Sequence, residues 1–149
     1  MGYTNYYRGA VATAEIAEDA RKIIETAQAD GIGIFGPLGT GEPIITATEI
    51  EFNGDASQDL DHETFGLYTE GHEMFGHPLA WFTKTARKPY DAAVVAVLIS
   101  ANLRSGQEAT CDNARDADSE EIVNGINLFE KAVRPLTDAE RKSIKEMYS

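Results

Sequence analysis

Three cations fall within five residues in Lys84-Thr-Ala-Arg87-Lys88-Pro-Tyr-Asp91, directly ahead of a long apolar run. Between Ile23 and Thr83 the chain carries eleven Asp or Glu residues and no Lys or Arg, so this segment abruptly reverses the local charge. Read as extended backbone, it puts Lys84 and Lys88 on one face and Arg87 on the other with Thr85. The apolar run behind it predicts a helix whose free N–H groups and dipole favour an anion. Phosphate is the natural guest of such a junction. The competing reading is that the three bases neutralise Glu63, Glu70 or Glu73 across a sheet.

Other segments carry weaker chemical signals. Gly36-Pro-Leu-Gly39-Thr-Gly41-Glu42-Pro43 has the backbone freedom to wrap phosphate or ribose, with Glu42 as a hydroxyl acceptor. It lacks both the ending of a P-loop and the dinucleotide-binding fingerprint, so a structural turn competes. His62-Glu-Thr has the His-x-Thr form of two-histidine phosphoesterases, which need a second such motif to supply both base and acid. Neither His72-Glu-Met nor His77-Pro-Leu provides it. His72 and His77 stand five apart across Gly76, which spoils the spacing of a zinc helix, and no metal or cofactor is expected. Tyr3, Tyr6, Tyr7, Tyr68, Trp81 and Tyr90 offer aromatic surface for stacking on a nucleobase, or simply for packing. Cys111 lies in an acidic stretch that disfavours a thiolate.

Composition narrows the partners. A formal charge of −12 and a pI near 4.6 oppose direct binding to nucleic acid or to anionic membranes. The same charge leaves open an acidic protein that occupies a basic host partner. One cysteine excludes a disulfide framework and suits a reducing compartment. The start of the chain lacks the pattern of a signal peptide, and Ala92 to Ala101 is about half of the roughly 20 residues a membrane span needs. A cytoplasmic location is expected.

The elements that must position these residues follow from periodicity. Tyr3 to Val11 reads as a strand with Tyr3, Asn5 and Tyr7 on one face and Thr4, Tyr6 and Arg8 on the other. Thr13 caps a helix over 14–30 that presents Ile16, Ala20, Ile23, Ile24 and Ala27 and ends at Gly31. Ile32–Phe35, Thr48–Phe52, His62–Tyr68 and Leu79–Lys88 read as strands, with an acidic loop at 55–61 and another loop at 70–78. Ala92 to Leu103 reads as a helix apolar on all sides, hence buried, with a buried strand as the alternative. Gln107–Ala117 is a loop or weak edge strand. Capping boxes at Asp118/Glu121 and Thr137/Glu140 open two further helices, the first stopped by Pro135. The whole is a single α+β domain over 1–149, a mainly antiparallel sheet packed on a buried central helix with more helices at the C-terminus.

Met-Gly-Tyr-Thr-Asn-Tyr-Tyr at 1–7, Gly-Thr-Gly-Glu-Pro at 39–43, Glu-Ile-Glu-Phe-Asn-Gly at 49–54, Asp-His-Glu-Thr-Phe at 61–65 and Phe-Thr-Lys-Thr-Ala-Arg-Lys-Pro-Tyr-Asp at 82–91 carry a resemblance. The chain resembles a group of small proteins of tailed bacteriophages that open Met-Gly-Tyr-Thr-His-Tyr-Trp, departing from that opening at Asn5 and Tyr7. The resemblance implies counter-defence in an infected bacterium, by analogy with proteins that sequester nucleotide immune signals such as ADP-ribose derivatives or cyclic nucleotides. In that reading Lys84, Arg87 and Lys88 hold phosphate and Tyr3, Tyr6, Tyr7 and Tyr90 stack the base. Gly39, Gly41 and His62 complete the cradle, and Glu42 or Asp91 accepts ribose hydroxyls. Sequestering proteins often bind at subunit interfaces, which suits a homo-oligomer. The alternatives are a metal-independent phosphodiesterase using His62, and direct inhibition of a host protein.

Overall fold

The computed structural model describes residues 2–8, 12–69, 80–113 and 116–149, with backbone alone at Ala80. The expected loop at 70–78, with His72 and His77, lies outside the described residues. The order is β1 (Thr4–Arg8), α1 (Ala14–Ala29), β2 (Ile44–Ile45), β3 (Glu49–Phe52), β4 (Phe65–Tyr68), β5 (Ala80–Lys84), α2 (Asp91–Ser105), β6 (Glu108–Cys111), α3 (Glu120–Ala132) and α4 (Asp138–Met147). This is the expected α+β domain. The strands divide into two three-stranded antiparallel sheets, ordered β5-β1-β6 and β2-β3-β4.

Each helix is set by its ends and its apolar face. Thr13 is extended and its hydroxyl accepts from Ile16 N, which satisfies a donor that the first turn of α1 cannot. Ile16, Ala20, Ile23, Ile24 and Ala27 are buried as their spacing requires. At the other end Gly31 takes a φ of 86°, and Ile32 N donates back to Ala27 O. α2 is apolar all round because it is enclosed all round: ten of its residues, from Asp91 to Ala101, are buried. Thr137 and Glu140 form the capping box of α4. The box expected at Asp118/Glu121 does not form. Ser119 is the N-cap residue of α3 without a side-chain bond, because Asp118 pairs with Lys145 and Glu121 is taken by Arg87 and Asn113.

Aromatic packing joins the two sheets. The Phe65 ring lies 5.4 Å from Tyr7 and 5.0 Å from Phe52, and Tyr7 OH donates to Gly66 O. Several strands are shorter than their patterns suggest. β4 begins only at Phe65, because Asn53 bonds the backbone of His62 on both its donor and acceptor sides and holds 62–64 out of the ladder. The expected strand at Ile32–Phe35 reduces to one bridge, Phe35 to Asn53. No helix among the described residues is long and apolar enough to cross a membrane.

Candidate functional site

The basic segment is a corner. β5 ends at Lys84, after which Thr85 N and Ala86 N both bond Tyr3 O and the backbone turns through positive φ at Ala86 (52°) and Arg87 (57°). Two consecutive left-handed residues break the extended alternation, so the expected division of Lys84 and Lys88 from Arg87 and Thr85 does not hold. Arg87 Nε donates to Glu121 Oε1 at 2.6 Å, and its guanidinium lies 4.7 Å from the centre of the Tyr3 ring. Lys88 Nζ donates to Asp59 O at 2.8 Å. These two bases tie the corner to α3 and to the turn at 56–59.

The start of α2 is likewise engaged. Asp91 N bonds Lys88 O, while Ala93 N and Val94 N both reach Tyr90 O. The Asp91 carboxyl is buried and turned toward the sheet, where its Oδ1 accepts from Asn5 Nδ2 and Thr85 Oγ1. Asp91 is therefore part of the interior and presents no oxygen to a ribose at the surface.

Three of the four candidate tyrosines are interior too. Tyr3, Tyr7 and Tyr90 are buried, and Tyr90 OH donates to Glu63 O at 2.6 Å. Burial lifts the phenols of Tyr7 and Tyr90 well above their usual range, so both remain neutral donors. The glycine-rich loop contains a 3-10 turn at Pro37–Gly39. Gly39 has a φ of 83°, and a Cβ there would lie 2.8 Å from Gly54 O, so this glycine lets the loop seat on the 54–61 turn. Gly41 and Glu42 line a 320 Å³ hollow with Asp55 and Gln58, and none of Lys84, Arg87 and Lys88 is in its lining. His62 is exposed, but Thr64, its partner in the His-x-Thr form, is bonded to Leu38 N and Asn53 Nδ2.

The outer face of the β5-β1-β6 sheet is different. Alternation puts Thr4, Tyr6 and Arg8 of β1 on it, with Phe82 and Lys84 of β5 and Glu108 and Thr110 of β6. The register sets Tyr6 opposite Phe82 on one side and Thr110 on the other. Tyr6 is 43 % exposed and Phe82 39 %, two large rings side by side in water. Lys84 Nζ stands 5.9 Å from the centre of the Phe82 ring, and Tyr6 OH bonds Asp112. Tyr6 and Phe82 also line a groove of about 950 Å³ whose far wall includes Glu146 and Met147 of α4.

Of the expected site residues, this face gathers Tyr6 and Lys84. It adds Phe82, Arg8 and Thr110, which sequence reading did not select. The signal for Phe82 was its place two residues before Lys84 in a strand. What made it a neighbour of Tyr6 was the pairing of β1 with β5, which no local pattern specifies.

Among the described residues no group of three or more His, Cys, Asp or Glu is placed to hold a metal ion. The chain matches no protein-family model, no curated protein and no solved structure. Fold and site together define an α+β protein with an open, aromatic-faced antiparallel sheet.

Proposed function

We propose that this protein binds a phosphate-bearing nucleotide on the outer face of the β5-β1-β6 sheet and sequesters it. The observation that carries this reading is the exposed pair Tyr6 and Phe82, directly opposite in register, with the Lys84 ammonium over the Phe82 ring at 5.9 Å from its centre. A nucleobase stacks on such rings whatever its identity, and an adjacent cation takes the phosphate. Thr110 and the carboxylates of Glu108 and Asp112 at the far edge suit ribose hydroxyls. Arg87 and Lys88, which opened the case for phosphate, serve in this reading to hold the corner from which Lys84 projects.

The resemblance to small phage proteins supports placing this activity in the cytoplasm of an infected bacterium, as counter-defence against a nucleotide immune signal. ADP-ribose derivatives and cyclic nucleotides are the classes to test, with the native mass measured alongside for homo-oligomer formation. Thermal shift against such a panel is the direct experiment, since a ligand at a hundredfold excess over its Kd stabilises by about 2.7 kcal/mol. We expect a shift with the unaltered protein, lost in Lys84→Glu and in Phe82→Ala, and recovery of intact nucleotide after denaturation. Recovery of a cleaved nucleotide would replace sequestration by phosphodiesterase activity. Absence of any shift, with one host protein captured stoichiometrically, would replace it by direct inhibition.

A further inference from the structure

On the inner face of the same sheet a buried carboxyl and a buried carboxamide meet with one hydrogen bond missing. Asn5 Nδ2 donates to Asp91 Oδ1 at 2.7 Å, and Thr85 Oγ1 donates to the same oxygen at 2.6 Å. The second carboxyl oxygen, Asp91 Oδ2, and the carboxamide oxygen, Asn5 Oδ1, are buried without a hydrogen-bond partner among the described residues. While Asp91 is ionised both atoms are acceptors, so neither can satisfy the other. Leaving polar atoms buried and unpaired is costly, and here one proton would remove two deficits together.

We propose that Asp91 and Asn5 form a proton-operated clasp between β1 and the start of α2: in mildly acidic solution Asp91 Oδ2 takes up a proton and donates it to Asn5 Oδ1, closing a doubly bonded acid–amide pair. The atoms balance simply. One proton comes from solvent, no covalent bond between heavy atoms changes, and the charge of the buried carboxylate is neutralised. Above neutrality the pair is held by the Asn5 Nδ2 bond alone.

The surroundings set where this happens. Arg87 of the corner favours the ionised carboxylate, as do the Thr85 and Asn5 donors and the helix dipole. Against them stand burial, which is the leading influence, and the Glu121 carboxylate of α3. Arg87 is itself bonded to Glu121, which weakens its hold on Asp91. The other titratable groups facing Asp91 are the phenols of Tyr3, Tyr90 and Tyr148 and the thiol of Cys111, all pushed upward by burial and hence neutral. The balance lifts Asp91 to about 6.

The sign follows from linkage. A folded-state value raised from 3.8 to about 6 means that the folded protein binds the proton more tightly than the unfolded chain. The stabilisation is full below the unfolded value and is lost as pH rises through about 6. Two pH units of difference correspond to roughly a hundredfold in the folding constant, at tenfold per unit.

The test is Asp91→Asn, which keeps the shape and supplies a permanent donor toward Asn5 Oδ1. Denaturant unfolding of both proteins from pH 4 to pH 8 should show D91N gaining on the wild type by roughly a hundredfold in folding constant across that range. Infrared spectra of the wild type should show a protonated carboxyl band that fades through pH 6 and is missing from D91N. If D91N instead trails the wild type by a constant factor at every pH and no such band exists, Asp91 is a plain buried carboxylate and the clasp is refuted. The infrared measurement on wild type decides the matter even if D91N does not fold. Neither readout involves a nucleotide, so the clasp stands or falls apart from the proposed binding function.

Discussion

A Cβ placed on Gly125 would lie 2.2 Å from Val95 Cγ1. The helices α2 and α3 therefore meet with the backbone of one against the side chain of the other, and no side chain fits between them. We expect Gly125→Ala to destabilise by about 2 kcal/mol through overpacking, despite the better helix propensity of alanine. Val95→Ala in the same chain should recover much of that loss, which a double-mutant cycle by urea unfolding would measure.

Asp19 of α1 is buried, and Arg104 of α2 reaches it with two bonds, at 2.6 Å from Nε and 3.0 Å from Nη2. Ser100 adds a third donor at 2.7 Å. Arg104→Ala strands the carboxylate against the core, and the expected cost is about 3 kcal/mol. Asp19→Asn combined with Arg104→Ala should cost less than Arg104→Ala alone, because the charge left behind is then gone. Equal losses in the two proteins would mean that the guanidinium contributes packing and not charge balance.

Ala86 holds a φ of 52° without being glycine. A left-handed conformation costs an L-residue roughly 1 kcal/mol, and glycine is free of that cost. Ala86→Gly should raise stability by about 1 kcal/mol less the extra entropy of its unfolded chain. The neighbouring Arg87→Gly relieves the same strain but removes the bond to Glu121 and the contact with Tyr3, so it should not stabilise. Thermal unfolding of the two variants side by side separates backbone strain from the guanidinium tie.

Glu140 is held down to about 2, first by Arg134 and then by the N–H of Thr137 in the capping box of α4. A depressed carboxyl stabilises the fold above its ordinary 4.5 and loses that contribution as pH falls through about 2. The stability gap between the wild type and Glu140→Gln should thus be wide at neutral pH and close in acid. Thr137→Ala, which removes the cap itself, should cost about 1 kcal/mol throughout that range.

The outer sheet face makes a contrasting prediction. Phe82→Ala removes a 39 % exposed ring whose neighbour is Trp81, stacked on it at 5.4 Å, so its effect on stability should stay within about 1 kcal/mol. Its effect on nucleotide affinity should be 1–3 kcal/mol, roughly the worth of one stacked base. Affinity that survives the loss of both Tyr6 and Phe82 would remove the ligand from this face.

The sequence by itself determined the elements whose signals are local. Thr13, Gly31 and the apolar spacing between them delimit α1, Thr137 and Glu140 open α4, and the unbroken apolar run of α2 predicts its burial. Alternation in β1 assigned Tyr3, Asn5 and Tyr7 to one face and Tyr6 and Arg8 to the other. These hold because capping, helical period and pleat involve only residues a few positions apart.

Tertiary structure alone decided what the charges and rings do. Lys84, Arg87 and Lys88 look alike in sequence. Only the return of the chain at Ala86 and Arg87, and the approach of Glu121 from α3 and Asp59 from the 56–59 turn, make two of them structural ties and leave Lys84 beside Phe82. Asp91 reads in sequence as a surface hydroxyl acceptor, whereas in the fold Asn5, 86 positions away, is bonded to it in the interior. The physical reason is common to both: a charge or a ring takes its role from what it faces across the fold, and those partners are brought together by strand pairing and helix packing, which short-range sequence does not encode.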